Sequence, residues 1–186
     1  MQLTNSEKET IKSHIKGKYY LEIGSGESTK WASHFCDRID SVETRKKWFD
    51  KVREMNKDSS NVTLYNFPPE DCAYDDDGYE TIVEQGRCRG DYGRTEEFKT
   101  HIESIKNLIL ENDYDVIMID GNVRNELVHL LREIKFSGIF MVHDVFSDGL
   151  LDAGRIPCDF FDIPELERIE NSERLWVFRF KEVDSE

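Results

Sequence analysis

Tyr19-Tyr20-Leu21-Glu22-Ile23-Gly24-Ser25-Gly26-Glu27-Ser28-Thr29 is the stretch that decides the architecture. Residues of high β-propensity run straight into a glycine-punctuated turn, and a helical pattern through Trp31 and Phe35 follows at once. Glycine at 24 and 26 permits positive φ and lets a ligand approach the backbone closely. The same alternation continues outward. Ser6 and Glu9 form a capping box for a first helix with Ile11 and Ile15 on one face, and Gly17 ends it. Further strands are expected at 39–43, 62–65, 116–119, 138–142 and 175–180. A helix over 44–55 places Trp48, Val52 and Met55 on one face. Two more carry Phe98, Ile102 and Ile105, then Leu127, Leu130, Leu131 and Ile134. Apolar runs without alternation mark strands covered on both faces, so the prediction is a doubly wound, mostly parallel Rossmann-like α/β sheet.

Composition bounds the rest. A chain of 186 residues is expected to form a single domain, 1–186, interrupted by an irregular acidic insertion at about 67–94. That insertion is punctuated by glycines, and its Arg87, Arg89 and Arg94 are read as a lid's contacts to an anionic or polyhydroxyl substrate. Hydrophobic residues at 38% and aromatics at 11% supply a core and exclude wholesale disorder. No apolar run approaches the ~20 residues of a membrane span, and the first residues lack a signal-peptide layout, so a soluble cytoplasmic protein is expected. A net charge of −14 opposes phosphate backbones, which points to a small-molecule acceptor rather than nucleic acid and leaves a homodimer open. The four cysteines form no CxxC pair and read as reduced thiols.

Four polar clusters fall at the carboxyl ends of expected strands, where ligands bind in such sheets: 24–29, Glu43, 120–124 and His143-Asp144. Glu43 lies 19 residues after Gly24, the place from which a carboxylate holds both ribose hydroxyls of an adenosine. Thr29 stands where a dinucleotide turn prefers its third glycine, and there is no P-loop lysine. Glu22 and Glu27 near the turn disfavour a pyrophosphate and suit a cationic ligand such as S-adenosylmethionine, with its sulfonium and ammonium.

These residues carry a resemblance. The stretch 21–29 resembles motif I of the class I S-adenosylmethionine-dependent methyltransferases, and Ser41-Val42-Glu43 is similar to their strand-2 acid. Asp115-Val116-Ile117-Met118-Ile119-Asp120-Gly121 and Gly138-Ile139-Phe140-Met141-Val142-His143-Asp144-Val145 are similar to a subset with IDG and HDV turns, which includes small-molecule and sugar O-methyltransferases. The resemblance covers residues 19–145, and strand 175–180 fits the family's antiparallel closing strand. It implies a cofactor site of Glu22, Gly24, Ser25, Gly26, Ser28, Glu43 and Asp120. The adenine contact falls after strand 3, at Asn66-Phe67-Pro68-Pro69-Glu70-Asp71, and stays unassigned.

Methyl transfer from a sulfonium is an in-line displacement, and an alcohol acceptor must also lose its proton. The resemblance therefore implies O-methylation, with His143 as general base and Asp120 and Asp144 orienting it or holding Mg²⁺ or another divalent cation. Arg124 is the expected acceptor anchor. The rival readings are an NAD-type Rossmann oxidoreductase or epimerase and a catalytically inactive cofactor-binding module.

Overall fold

A computed structural model of the chain describes residues 3–68, 98–146, 150–151 and 156–181. The acidic insertion expected at about 67–94, with Arg87, Arg89 and Arg94, lies outside the described residues apart from Phe67 and Pro68. Strands β1 (Tyr19–Ile23), β2 (Arg38–Glu43), β3 (Val62–Asn66), β4 (Val116–Ile119) and β5 (Ile139–Val142) alternate with helices. The helices are α1 (Asn5–Ile15), α2 (Glu27–Ala32), α3 (Lys46–Met55), α4 (Lys99–Leu110) and α5 (Arg124–Glu133). After the two-residue strands β6 (Leu150–Leu151) and β7 (Ile156–Pro157) and a 3-10 turn, Asp159–Asp162, come β8 (Leu166–Ser172) and β9 (Leu175–Phe180).

Seven strands form one sheet in the order β3-β2-β1-β4-β5-β9-β8. The first five are parallel, and β9 pairs antiparallel with both β5 and β8. The chain reverses its direction of winding between β1 and β4, which opens a crevice above their carboxyl ends.

Both faces of the sheet are covered, as the apolar runs require. On one side Leu21, Ile23, Ile117 and Phe140 meet Ile105 of α4, Leu127 and Leu131 of α5, and Phe160. On the other, Tyr20, Ile39, Met118 and Met141 meet Ile11 and Ile15 of α1 and Ala32 of α2.

Two expectations are corrected. The cap of α1 lies two residues earlier than Ser6 and Glu9: Thr4 Oγ1 accepts from Glu7 N at 3.2 Å, and Glu7 Oε2 accepts from Thr4 N at 2.8 Å. Both registers satisfy the S/T-x-x-E pattern, and the burial of Glu7 decides between them. Strand β8 is an addition to the elements expected from sequence. Its Arg168, Ile169 and Glu170 are exposed, and a bulge interrupts its pairing between Arg168 and Glu170. It is a charged edge strand that carries no core periodicity and is guarded against pairing with another chain.

Phe140 ties the antiparallel half to the parallel half. It is fully buried, with Phe178 stacked at 5.6 Å and Phe180 at 5.2 Å between ring centroids. Phe140→Ala is expected to cost about 3–5 kcal/mol through lost burial and a residual cavity. Urea unfolding with an unchanged m-value checks this; a loss below ~1 kcal/mol would contradict the packing described.

Candidate functional site

A cleft of about 590 Å³ lies above the carboxyl ends of β1, β2 and β4. The turn after β1 forms its floor through Gly24, Ser25, Gly26 and Ser28. Gly24 has φ +106°, and a Cβ there would lie 2.7 Å from the carbonyl carbon and oxygen of Asp120. Only glycine lets these two turns touch backbone to backbone. The turn is pinned from above by Trp48 of α3, whose indole N–H donates to Ser25 O at 2.6 Å.

Beneath the turn lies a polar network. Ser41 Oγ donates to Glu22 Oε2 at 2.9 Å, Thr29 Oγ1 donates to the same oxygen, and Gly26 N donates to Thr29 Oγ1 at 3.0 Å. Thr29, in the place of a third glycine, thus ties the turn to Glu22. Glu22 is fully buried and its Oε1 has no partner among the described residues. Burial, partly offset by the hydroxyls of Ser28, Thr29 and Ser41, raises its carboxyl to about 7.

Glu43 stands at the lip where β2 ends. Its Oε1 accepts from Arg45 N at 2.8 Å and Thr44 Oγ1 at 3.3 Å, which fixes the carboxylate. Burial raises its pKa, and the Arg45 N–H and guanidinium counter that rise.

The far wall is a charge cluster. His143 is buried, with Nδ1 2.9 Å from Asp120 Oδ1 and Nε2 3.2 Å from Glu7 Oε1. A carboxylate oxygen against each ring nitrogen favours the imidazolium form. Burial pulls its pKa down, but the hydrogen bond and charge of Asp120, then Asp144 and Glu7, outweigh that and raise it. Asp144 Oδ1 accepts from Arg174 Nη1 at 2.8 Å and Oδ2 from Arg124 Nη2 at 3.2 Å. Arg124 Nε donates to His143 O at 3.1 Å.

A hollow of about 980 Å³ lies at the amino end of β5, lined by Arg132, Phe136, Glu165 and Arg179 among others. It is away from the carboxyl strand ends and from the groups above, so the smaller cleft is the candidate site.

No family model matches the sequence, and no curated protein matches it. Solved structures do. A methyltransferase-like protein from Silicibacter pomeroyi aligns over 97% of this chain and 88% of its own, with a TM-score of 0.68 and 15% identity. The chain has the fold of that protein. A methyltransferase from Geobacter sulfurreducens matches at TM-score 0.53 and 9% identity, over 96% of this chain and 80% of its own. A proposed methyltransferase from Streptococcus mutans, solved in complex with SAH (S-adenosylhomocysteine), matches at 0.52 and 11%, over 97% and 100%.

The expected residues divide. Gly24, Ser25, Gly26, Ser28, Glu43, Asp120, Arg124 and Asp144 line the cleft. Glu22 lies behind the turn rather than in the cleft, because alternation along β1 sends it to the face opposite Leu21 and Ile23. His143, the expected general base, is engaged at both ring nitrogens, Nδ1 by Asp120 and Nε2 by Glu7. Arg124, the expected acceptor anchor, lines the cleft and donates to Asp144 and to His143 O.

The expected divalent-cation ligands, Asp120 and Asp144, come together beside His143. Ligand atoms of Asp120, His143 and Asp144 lie within 4.8 Å of one another. Yet Nδ1 carries a proton, and arginines occupy both oxygens of Asp144. Two guanidinium groups beside the carboxylates already supply the charge a cation would bring, so the set does not fit Mg²⁺. Glu7 and Arg174, which complete the cluster, and Trp48 and His101 in the cleft wall, have no part in the site expected from sequence.

Glu22 gives the network beneath the turn a pH signature. Its folded-state pKa, about 7, exceeds the ordinary value near 4.5, so the native state holds a proton that the unfolded chain has released. Stability is complete below 4.5 and falls as pH rises through 7, by up to about 3 kcal/mol for this group. Glu22→Gln, which mimics the protonated form, is expected to match the wild type near pH 4.5 and exceed it above pH 7 in urea unfolding. A variant that loses stability at high pH would contradict the assignment.

Proposed function

We propose that the chain is an S-adenosylmethionine-dependent methyltransferase acting on a hydroxyl of a small polar acceptor, with a sugar as the preferred class. The observation that carries this is the pairing of a glycine turn with Glu43 at adjacent strand ends. The fold supports it, since a neighbour of the same architecture was solved with SAH. Thr29 in the place of a dinucleotide turn's third glycine weakens the NAD reading.

The cofactor supplies an electrophilic methyl group on a sulfonium. Gly24, Ser25, Gly26 and Ser28 hold its amino-acid end against the turn, and Glu43 accepts from the ribose hydroxyls. Asp120 takes the acceptor's proton, because its carboxylate is the part of the charge cluster that is 22% exposed at the cleft edge. A weak base suffices there, as the hydroxyl proton becomes strongly acidic while the new C–O bond forms. His143 positions Asp120 through Nδ1–H, and Glu7 holds His143 in turn. The −14 net charge supports a small acceptor over nucleic acid.

Calorimetric titration with S-adenosylhomocysteine is expected to show saturable binding that Glu43→Ala weakens at least about tenfold. Absence of binding at millimolar ligand would overturn the reading. With labelled donor and panels of sugars, phenols and nucleic acids, turnover is expected on a small hydroxyl compound and to be indifferent to a chelator. Asp120→Asn is expected to lower that turnover on the order of 10²-fold while S-adenosylhomocysteine affinity changes little. Full turnover in Asp120→Asn would remove its assigned role.

A further inference from the structure

The hollow at the amino end of β5 combines an aromatic floor with a charged rim. Phe136 and Phe180, both partly buried, make the floor. Phe136 is pressed against the start of β5, where a Cβ at Gly138 would lie 2.5 Å from its Cζ. Phe180 ends a row of rings: its centroid is 5.2 Å from Phe140, which is 5.6 Å from Phe178. It is the member of the row that reaches the hollow, so a flat apolar body placed there meets a ring and extends the row.

The charges around this floor do not balance. Glu165 Oε1 lies 2.7 Å from Arg132 Nη2, Glu167 Oε2 lies 2.6 Å from Arg179 Nε, and Glu133 Oε1 lies 2.8 Å from Lys106 Nζ. Each carboxylate of the lining is thus paired, and His129 is engaged by Asp159 at 3.0 Å. Lys135 and Lys181 line the hollow as well. Both are exposed, and neither has an ion-pair or hydrogen-bond partner among the described residues. In a chain of net charge −14, two uncompensated cations over one aromatic floor stand apart from the rest of the surface. Lys135 also holds a strained backbone. It follows the end of α5 at φ +55°, its N–H on Arg132 O at 3.1 Å and the Phe136 N–H on Leu131 O at 2.9 Å. The left-handed residue of such a helix-closing turn is ordinarily glycine, and here it sets a cationic side chain on the rim.

We propose that the hollow is a second ligand site that takes a small compound with a flat aromatic body and one anionic group. Phe136 and Phe180 bury the body, and Lys135 and Lys181 receive the anion. A volume of about 980 Å³ accommodates such a compound. The site is separate from the cleft. Arg124 at the first residue of α5 lines the cleft and Arg132 near its last lines the hollow, and the ten-residue helix spans about 15 Å. The hollow asks for a net anion, whereas S-adenosylhomocysteine, a zwitterion, is expected in the cleft.

The test titrates ¹⁵N-labelled protein with 1-naphthoate, with its uncharged amide 1-naphthamide and with acetate, following backbone amide resonances. Naphthoate is expected to shift residues 135–137 and 179–181 saturably at millimolar concentration. Naphthamide should bind at least about fivefold more weakly, the effect of two exposed cations. Acetate, which brings the charge without the ring, should not saturate in the same range. Lys135→Gly combined with Lys181→Gln removes both charges, and glycine takes the left-handed backbone without strain, so the fold is kept. In that variant the two naphthyl compounds should bind within about twofold of each other. Equal binding of the two by wild type, saturation by acetate, shifts centred outside the hollow or no shift at all would overturn the proposal. So would an unchanged preference in the double variant, which would leave Lys135 as a partner for the last carbonyls of α5 and nothing more.

Discussion

The contact on which this architecture turns is between two backbones. Gly24, at the end of β1, lies so close to Asp120, at the end of β4, that any side chain at 24 would overlap the Asp120 carbonyl. Hydrogen bonds draw the same turns together, with Asp120 N donating to Ile23 O at 2.8 Å and Gly24 N to Val42 O at 2.9 Å. Three strand ends are thereby held in one plane, and the cleft is the space above it. With its backbone fixed against Gly24, the Asp120 side chain is set between the cleft and His143.

From that point the charge cluster spreads through the molecule. Glu7 comes from the first helix and Arg174 from the hairpin between β8 and β9, and they reach His143 and Asp144, which follow β5. Arg174 N also donates to Glu7 Oε1 at 3.3 Å, so segments from opposite ends of the sequence meet behind the site. Three carboxylates, Glu7, Asp120 and Asp144, face three cations, His143, Arg124 and Arg174. Such a balanced set resists disruption more than it adds stability, because removing one member strands another in a poorly solvated place. Its effect is to specify geometry. Asp144 holds its bend in the left-handed region at φ +61°, and the β-branched Val123 nearby holds φ +54°. Conformations of this kind persist where the surroundings over-determine them.

Much of this arrangement is legible in the sequence itself. Apolar runs at 19–23, 116–119 and 138–142 require a covered parallel sheet, and the glycine turn with Glu43 locates the cleft. What escapes the sequence depends on direction and distance in space. Glu22 sits one residue before the buried end of β1, and a strand's two-residue alternation takes it under the sheet instead of into the cleft. His143 and Arg124 are residue types that do chemistry elsewhere; here partners 136 and 20 residues away along the chain engage them. Glu7 is hidden by two overlapping capping patterns, and Arg174 by an edge strand without core periodicity.

The central claim is that the plane of strand ends built on the Gly24–Asp120 contact is a seat for an adenosyl amino acid. A crystal structure of the chain grown with S-adenosylhomocysteine tests it most directly. The account predicts the amino-acid end over residues 24–28, the ribose hydroxyls on the Glu43 carboxylate and the sulfur facing Asp120. Ligand bound at the hollow near Arg132 and Arg179, or a cleft still empty at saturating ligand, would contradict it.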